Sequence, residues 1–401
     1  MLSFKRQLCF IPAGDYPVRM SAKWAPLLVV LCACSFWSLP VPAAGLPSKQ
    51  QVLEMVNEDR FDELEKLTSE LRGKKLEFYN GFSDLSRVYG YLEGVSRKAD
   101  DAAWQQYIGK LEAWSKAYPD SPTPRIALGN VYISYAWKAR GGGYANTVGD
   151  EGWRLFGERL DKAREYLDAA GKIPVKDAEV YRALIVVVMG QGGSRKDMEA
   201  VFQKGIELEP NYQQLYEAKA YYLLPRWHGR QGEWEAFVLE AADARGGEEG
   251  DILYMAIARS QAWSEGADFF RNTRISYGHM KRGFEASLRR YPEYVWEMNS
   301  YCYFACIAGD RATAKQLFQK INGRWEQEVW SKQDLFQQWQ NWATNNGRVP
   351  IVATRTRPVR PLLTSDHIKS ALLITGAVWL VLVLIIAVVV WLVVRNHQKS
   401  R

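Results

Sequence analysis

One spacing recurs along the middle of this chain: a residue, another four positions later, a third three after that, and a proline just beyond. It occurs as Tyr107, Leu111, Trp114, Pro119; as Met198, Phe202, Gly205, Pro210; as Met280, Phe284, Ser287, Pro292; and, with the proline one residue early, as Ala163, Leu167, Ala170, Pro174. Steps of four and three place side chains on one face of an α-helix, and a proline stops the helix past that face. Each segment therefore predicts the second helix of a helix-turn-helix unit. Repeated units of this kind bury their faces against their neighbours, so residues 45–347 are expected to form an all-α stacked array.

The pattern resembles the tetratricopeptide repeat, a helical hairpin of about 34 residues. After Pro119, Leu128, Gly129 and Tyr132 stand in the register where that repeat carries Leu, Gly and Tyr. After Pro292, Gly309, Asp310, Ala314, Phe318 and Ile321 match its turn glycine and the apolar positions of its second helix. The period is irregular, and insertions such as Gly141, Gly142, Gly143 to Gly149 interrupt it, so divergent repeats with long loops are expected rather than a uniform groove. Three further stretches, Phe78 to Phe82, Ala139 to Ala145, and Leu224 to Gly229 followed by Trp234 to Phe237, resemble a bacterial family known as domain of unknown function 4034. That resemblance covers most of residues 75–330 and implies a tetratricopeptide-like fold without an assigned activity. His228 departs from it, standing where the family's turn carries a small residue.

The two ends predict a membrane context. Ser370 to Val394 is a run of 25 residues without Asp, Glu, Lys, Arg or His, followed directly by Arg395, Lys399 and Arg401. At about 1.5 Å per residue such a helix outspans a hydrocarbon core of about 30 Å. Residues 370–394 are thus expected to be a single transmembrane helix and 395–401 a cytoplasmic tail, behind a basic stalk at 348–369 that contains Pro350, Pro358 and Pro361. Near the other end, Ala25 to Leu39 has the length of a signal-peptide core and leads into Pro40, Val41, Pro42, Ala43 and Ala44. Residues 1–44 are read as a signal peptide with an upstream extension, Met20 being a second candidate start. A lipidated Cys34 in the stretch Leu31 to Cys34 is the rival reading.

The formal charge of +7 is distributed to match. Residues 1–44 carry +3, residues 348–369 carry +4 and the tail +3, which leaves the array at −3. Basic excess at membrane flanks serves topology and lipid contact, whereas a nucleic-acid binder carries it on the folded domain. No nucleic-acid partner is expected, and the helical domain is expected in the periplasm of a bacterial inner membrane.

Catalytic signatures are absent from the sequence. The four histidines, His228, His279, His367 and His397, have no metal-ligand spacing, and no Walker, dinucleotide or Gly-x-Ser-x-Gly motif occurs. No cofactor, metal or catalytic residue is expected. Gly190, Gly192 and Gly193 read as a helix connector, lacking the Lys-Ser or Lys-Thr of a phosphate loop. Cys302 and Cys306, one helical turn apart, read as small buried side chains, with Cys302 at the position where two helices touch.

Two segments are candidates for binding. The first is the loop from Arg140 to Glu151, with Arg140, Gly141, Gly142, Gly143 and Tyr144 between a helix ending at Trp137 and Lys138 and one starting near Trp153. Ordering three glycines is costly, so a held loop must gain contacts. Gly142→Val is accordingly expected to disturb binding or folding more than Gly246→Val. The second is the turn of Arg226, Trp227, His228 and Trp234, whose other reading is packing at a joint between repeats. The sixteen tryptophans fit inter-helix packing at Trp104, Trp114, Trp137 and Trp153, or a groove. The function these features imply is protein binding by a membrane-anchored scaffold. The alternatives are an envelope enzyme acting on glycan or peptide with Asp150 and Glu151, and a toxin-neutralising partner. A protein partner is expected; oligomeric state is left open.

Overall fold

A computed structural model describes residues 46–74, 83–143, 145–262, 265–345, 347 and 349–350. The expected signal segment, most of the stalk, the 370–394 span, the Phe78 to Phe82 stretch and Tyr144 lie outside the described residues. Among the described residues there are seventeen α-helices and no strand, and no helix is long and apolar enough to cross a membrane.

The helices come in pairs. α1 (Lys49–Asn57) and α2 (Phe61–Arg72) are followed by α3 (Asp84–Leu92) with α4 (Asp101–Ala117), α5 (Thr123–Arg140) with α6 (Asp150–Lys172), and α7 (Glu179–Gly190) with α8 (Arg195–Leu208). Then come α9 (Gln213–Tyr222) with α10 (Glu233–Arg245), and α11 (Gly247–Gln261) with α13 (Tyr277–Arg290), the short α12 (Phe269–Asn272) lying between. α14 (Val295–Ile307) pairs with α15 (Arg311–Ile321), and α16 (Gln327–Trp330) and α17 (Gln333–Asn345) close the series. Within each pair except α3 with α4 the two helices pack together, and α1, α3, α5, α7, α9 and α11 also touch one another in succession. α4 packs on α5 and α1 and reaches α3 through the Tyr107 hydroxyl, which donates to the Leu92 carbonyl at 3.0 Å. The first helix of each hairpin thus has neighbours on several sides and the second helix fewer. The sequence answers to that: α14 is apolar nearly all round, whereas α13 has one apolar stripe.

All four segments marked by the recurrent spacing are second helices. α4 buries Tyr107, Leu111 and Trp114 and ends before Pro119; α6 buries Ala163, Leu167 and Ala170 and ends before Pro174. α8 buries Met198, Phe202 and Gly205, and α13 buries Met280, Phe284 and Ser287, each ending two residues before its proline. Their starts are capped by side chains: Asp100 accepts from the Ala103 N–H, Ser276 from the His279 N–H, and Ser194 forms a reciprocal box with Asp197. Gly129 lies where α5 meets α6, for a Cβ there would stand 2.6 Å from the side chain of Leu167. Gly309 turns α14 into α15 with φ +78°. Cys302 and Cys306 are free thiols; both are buried, and Cys302 Sγ donates to the Ala314 carbonyl at 3.8 Å across that hairpin.

Polar groups bridge hairpins far apart in sequence. Arg72 Nε donates to Asp177 at 3.0 Å and Arg72 Nη2 to Thr123 Oγ1 at 2.8 Å, while the Tyr89 hydroxyl donates to the same Asp177 oxygen at 2.6 Å. Arg87 on α3 donates to the Tyr294 hydroxyl, just before α14, at 3.1 Å.

Candidate functional site

The loop after α5 is shorter than its glycines imply. α5 runs through Trp137 and Lys138 to Arg140, and α6 begins at Asp150 rather than near Trp153, because Asp150 and Glu151 supply the acidic first turn that a helix N-terminus favours. Between them lies one short 3₁₀ turn, Ala145–Thr147. Glu151 is spent there: its two oxygens accept a fork from Arg154 at 2.6 and 2.7 Å on the exposed surface, and that bond holds its carboxyl below the ordinary range.

Arg140 turns back over aromatic rings. Its guanidinium carbon lies 5.4 Å from the ring centroid of Trp137, 5.4 Å from that of Trp153 and 5.6 Å from that of Trp227. Nη1 donates to the carbonyl oxygens of Gly143 at 3.1 Å and Gly141 at 3.4 Å, so the cation is paired with its own loop rather than a carboxylate. The rings brace each other edge to face: Trp137 against Trp227 at 5.4 Å, Trp137 against Phe156 at 5.0 Å, and Trp153 against Phe156 at 5.9 Å. Each cation–π contact is worth about 0.5–1 kcal/mol at a partly exposed site, enough together to hold the arginine without an ion pair. Trp153 is 37% exposed, and Gly141, Gly142 and Gly143 are exposed beside it.

The second candidate segment divides. Trp227 reaches the Arg140 cluster, and its indole N–H is buried without a hydrogen-bond partner. His228 turns the other way: Nε2 lies 3.0 Å from the Met189 carbonyl, to which it donates, and its ring stacks on Tyr222 at 4.5 Å. That is why an imidazole is accommodated where a small residue was expected. The Arg226 guanidinium lies over the Tyr221 ring at 5.1 Å, and Arg226 and Trp234 border a separate hollow. The structure therefore brings Trp227 onto Arg140, places Arg226 on the Tyr221 ring that Trp227 also meets at 6.0 Å, and turns His228 and Trp234 to other partners.

The turn glycines separate by geometry in the opposite sense to the sequence expectation. Gly142 has open space where a Cβ would stand and an ordinary φ, whereas Gly246 joins α10 directly to α11 with φ +73° and ψ 165°, a region nearly closed to other residues. Gly142→Val is expected to leave the melting temperature unchanged. Gly246→Val is expected to cost about 1.5 kcal/mol of stability, read from urea unfolding of the two variants side by side.

A second set of polar residues, outside both candidate segments, lies on the first helices. Asn130 on α5 donates to Glu179 on α7 at 2.9 Å, Arg182 Nε donates to the same Glu179 oxygen at 2.8 Å, and the Tyr212 hydroxyl donates to its other oxygen at 2.6 Å. Arg182 Nη2 closes the set on Asn130 at 2.7 Å. Farther along, Gln213 donates to Glu217 at 2.6 Å, and Arg259 on α11 pairs with Glu297 on α14. Burial pushes the Glu217 carboxyl up to about 7, against the Gln213 amide and the charges of Arg259 and Arg182. Although burial also acts against its charge, Arg182 is held above its usual value by the adjacent Glu179. The signal was present in the sequence: Glu179 and Arg182 stand alone in an otherwise apolar α7, and a charge in such a helix must be buried and paired.

No protein-family model matches this chain, and no curated protein matches it.

Proposed function

We propose that this chain is a membrane-anchored, tetratricopeptide-like scaffold of a bacterial envelope that binds a partner protein through the Arg140 cluster. The observation that carries the reading is the convergence of two segments distant in sequence, each distinctive on its own, on one partly exposed arginine held by Trp137, Trp153 and Trp227. Trp and Arg dominate the residues on which protein interfaces depend. The guanidinium is already oriented and pairs with no carboxylate among the described residues, so a partner carboxylate or backbone carbonyl gains it at low entropic cost. The anchor belongs to the same proposal. It rests on the uncharged run 370–394 and its basic flanks, with the signal-like segment before residue 45 setting the helical domain outside the cytoplasm. The likeness to domain of unknown function 4034 is a further part of the proposal.

The test is affinity purification of the full-length protein from membranes, beside Arg140→Ala and Trp153→Ala. A stoichiometric partner is expected with the wild type, and its recovery is expected to fall about tenfold with either variant at unchanged melting temperature. Equal recovery by both variants sinks the site. Loss of recovery only together with loss of folding assigns the cluster to packing.

A further inference from the structure

We propose that the hollow between the turn after α9 and α12 binds a small organic cation bearing N–H donors, the class of primary amines with amino acids included. The hollow has a volume of about 330 Å³, the size for a single small molecule rather than a polymer. Trp234, Glu235, Glu265, Asn272 and Thr273 line it, with Arg226 at the same cavity. This inference is independent of the partner-binding reading, which uses Trp227 and the other side of that turn.

Glu235 is the residue that requires an occupant. It is 5% exposed, and its Oε2 is buried without a hydrogen-bond partner. Burial pushes its carboxyl upward, against the backbone N–H groups of Glu235 and Arg274 and the charge of Arg274, while the charge of Glu265 adds to the rise. An unsatisfied buried carboxylate oxygen is among the costlier defects a fold can carry, so its retention calls for a donor that comes from outside. Glu265 contributes a second carboxyl to the hollow and is held in place by the Asn272 amide, which donates to Oε2 at 3.1 Å. The two carboxyl groups outnumber the one guanidinium of the lining, that of Arg226, and together with the indole face they favour a cation over an anion. A metal ion is a poorer fit, since no group of three or more His, Cys, Asp or Glu able to hold one occurs among the described residues. The cation must moreover donate a hydrogen bond to Glu235, which an ammonium does and a fully methylated nitrogen does not.

The experiment is isothermal titration of the purified full-length protein with methylammonium, L-lysine and 1,4-diaminobutane, with tetramethylammonium as the cation lacking N–H. Saturable binding of at least one amine is expected. It should weaken about tenfold or more in Glu235→Gln and in Glu265→Gln, and tetramethylammonium should give no saturable heat. The proposal is overturned by the absence of saturable amine binding up to about 10 mM, by equal affinity for tetramethylammonium, or by a folded Glu235→Gln that binds as the wild type does. If Glu235→Gln fails to fold, the partly exposed Glu265→Gln decides alone: weakened binding supports the site and unchanged binding rejects it.

Discussion

Gly229→Ala is expected to destabilise the folded domain by about 3 kcal/mol, the upper end of what forcing a methyl into a packed site costs. A Cβ at this position would stand 1.7 Å from the carbonyl oxygen of Leu223 and 2.3 Å from its carbonyl carbon, so a backbone and not a flexible side chain would have to move. The turn has no slack to give. Three successive N–H groups, those of Trp227, His228 and Gly229, fold back on the end of α9 and donate to Leu224 O at 2.8 Å, Tyr222 O at 3.2 Å and Leu224 O at 3.3 Å. Displacing that backbone also moves Trp227 off Arg140 and the border of the Glu235 hollow, so partner recovery should fall with stability. Urea unfolding measures the first effect. A loss below about 0.5 kcal/mol, the scatter of ordinary surface substitutions, would mean that the turn is looser than its hydrogen bonds imply.

Glu217→Gln is expected to stabilise the protein, by about 2 kcal/mol at pH 8 and by almost nothing at pH 4. In the unfolded chain this carboxyl ionises near its ordinary 4.5, and in the fold near 7, because burial disfavours the charged form. Below 4.5 it is protonated in both states and makes no difference. Between 4.5 and 7 the unfolded chain releases the proton while the folded protein keeps it, so stability falls as pH rises and is lowest once the folded group has also ionised. At about 1.4 kcal/mol per pH unit the full span amounts to about 3 kcal/mol, which its partial solvent contact reduces to about 2. The amide keeps the oxygen that accepts from Gln213 and removes the ionisation. Thermal melts of both proteins from pH 4 to pH 8 should converge at the acid end. Parallel curves would show that Glu217 ionises in the fold as it does in water.

How much of this was legible in the sequence follows from which interactions are local. The second helices α4, α6, α8 and α13 were readable because each has one buried stripe and a proline stop, both written within a dozen consecutive residues. The first helices were harder. α14 and α7 are buried on most sides, so periodicity fades, and the exceptions that matter are Glu179 and Arg182, which pair with each other on α7 and also reach Asn130 on α5, and Glu297, whose partner Arg259 sits on α11. The site was half legible: the oddness of Arg140 with three glycines and of Arg226, Trp227, His228 with Trp234 could be seen, but not that Trp227 alone would join Arg140. That pairing depends on the stacking of three hairpins. The start of α6 lies ahead of Trp153 because Asp150 and Glu151, which in sequence also suit a carboxylate pair, serve as its acidic first turn. The short α12 and α16 carry too few residues to show a period at all.

The bridge from Arg87 to Tyr294 alters how such a stack should come apart. A stack whose members touch only their neighbours can fray from either end, each unit leaving with its own share of stability, and can begin to assemble anywhere along its length. Here α3, near the start, leans on the residue that opens α14, more than two hundred positions later in the chain. Forming that contact requires a very long loop to close, so it belongs among the last events of folding and is shared by everything in between. Loss of the far end is then felt at the beginning, and the protein's resistance to partial unfolding becomes a property of the whole series rather than of its weakest hairpin.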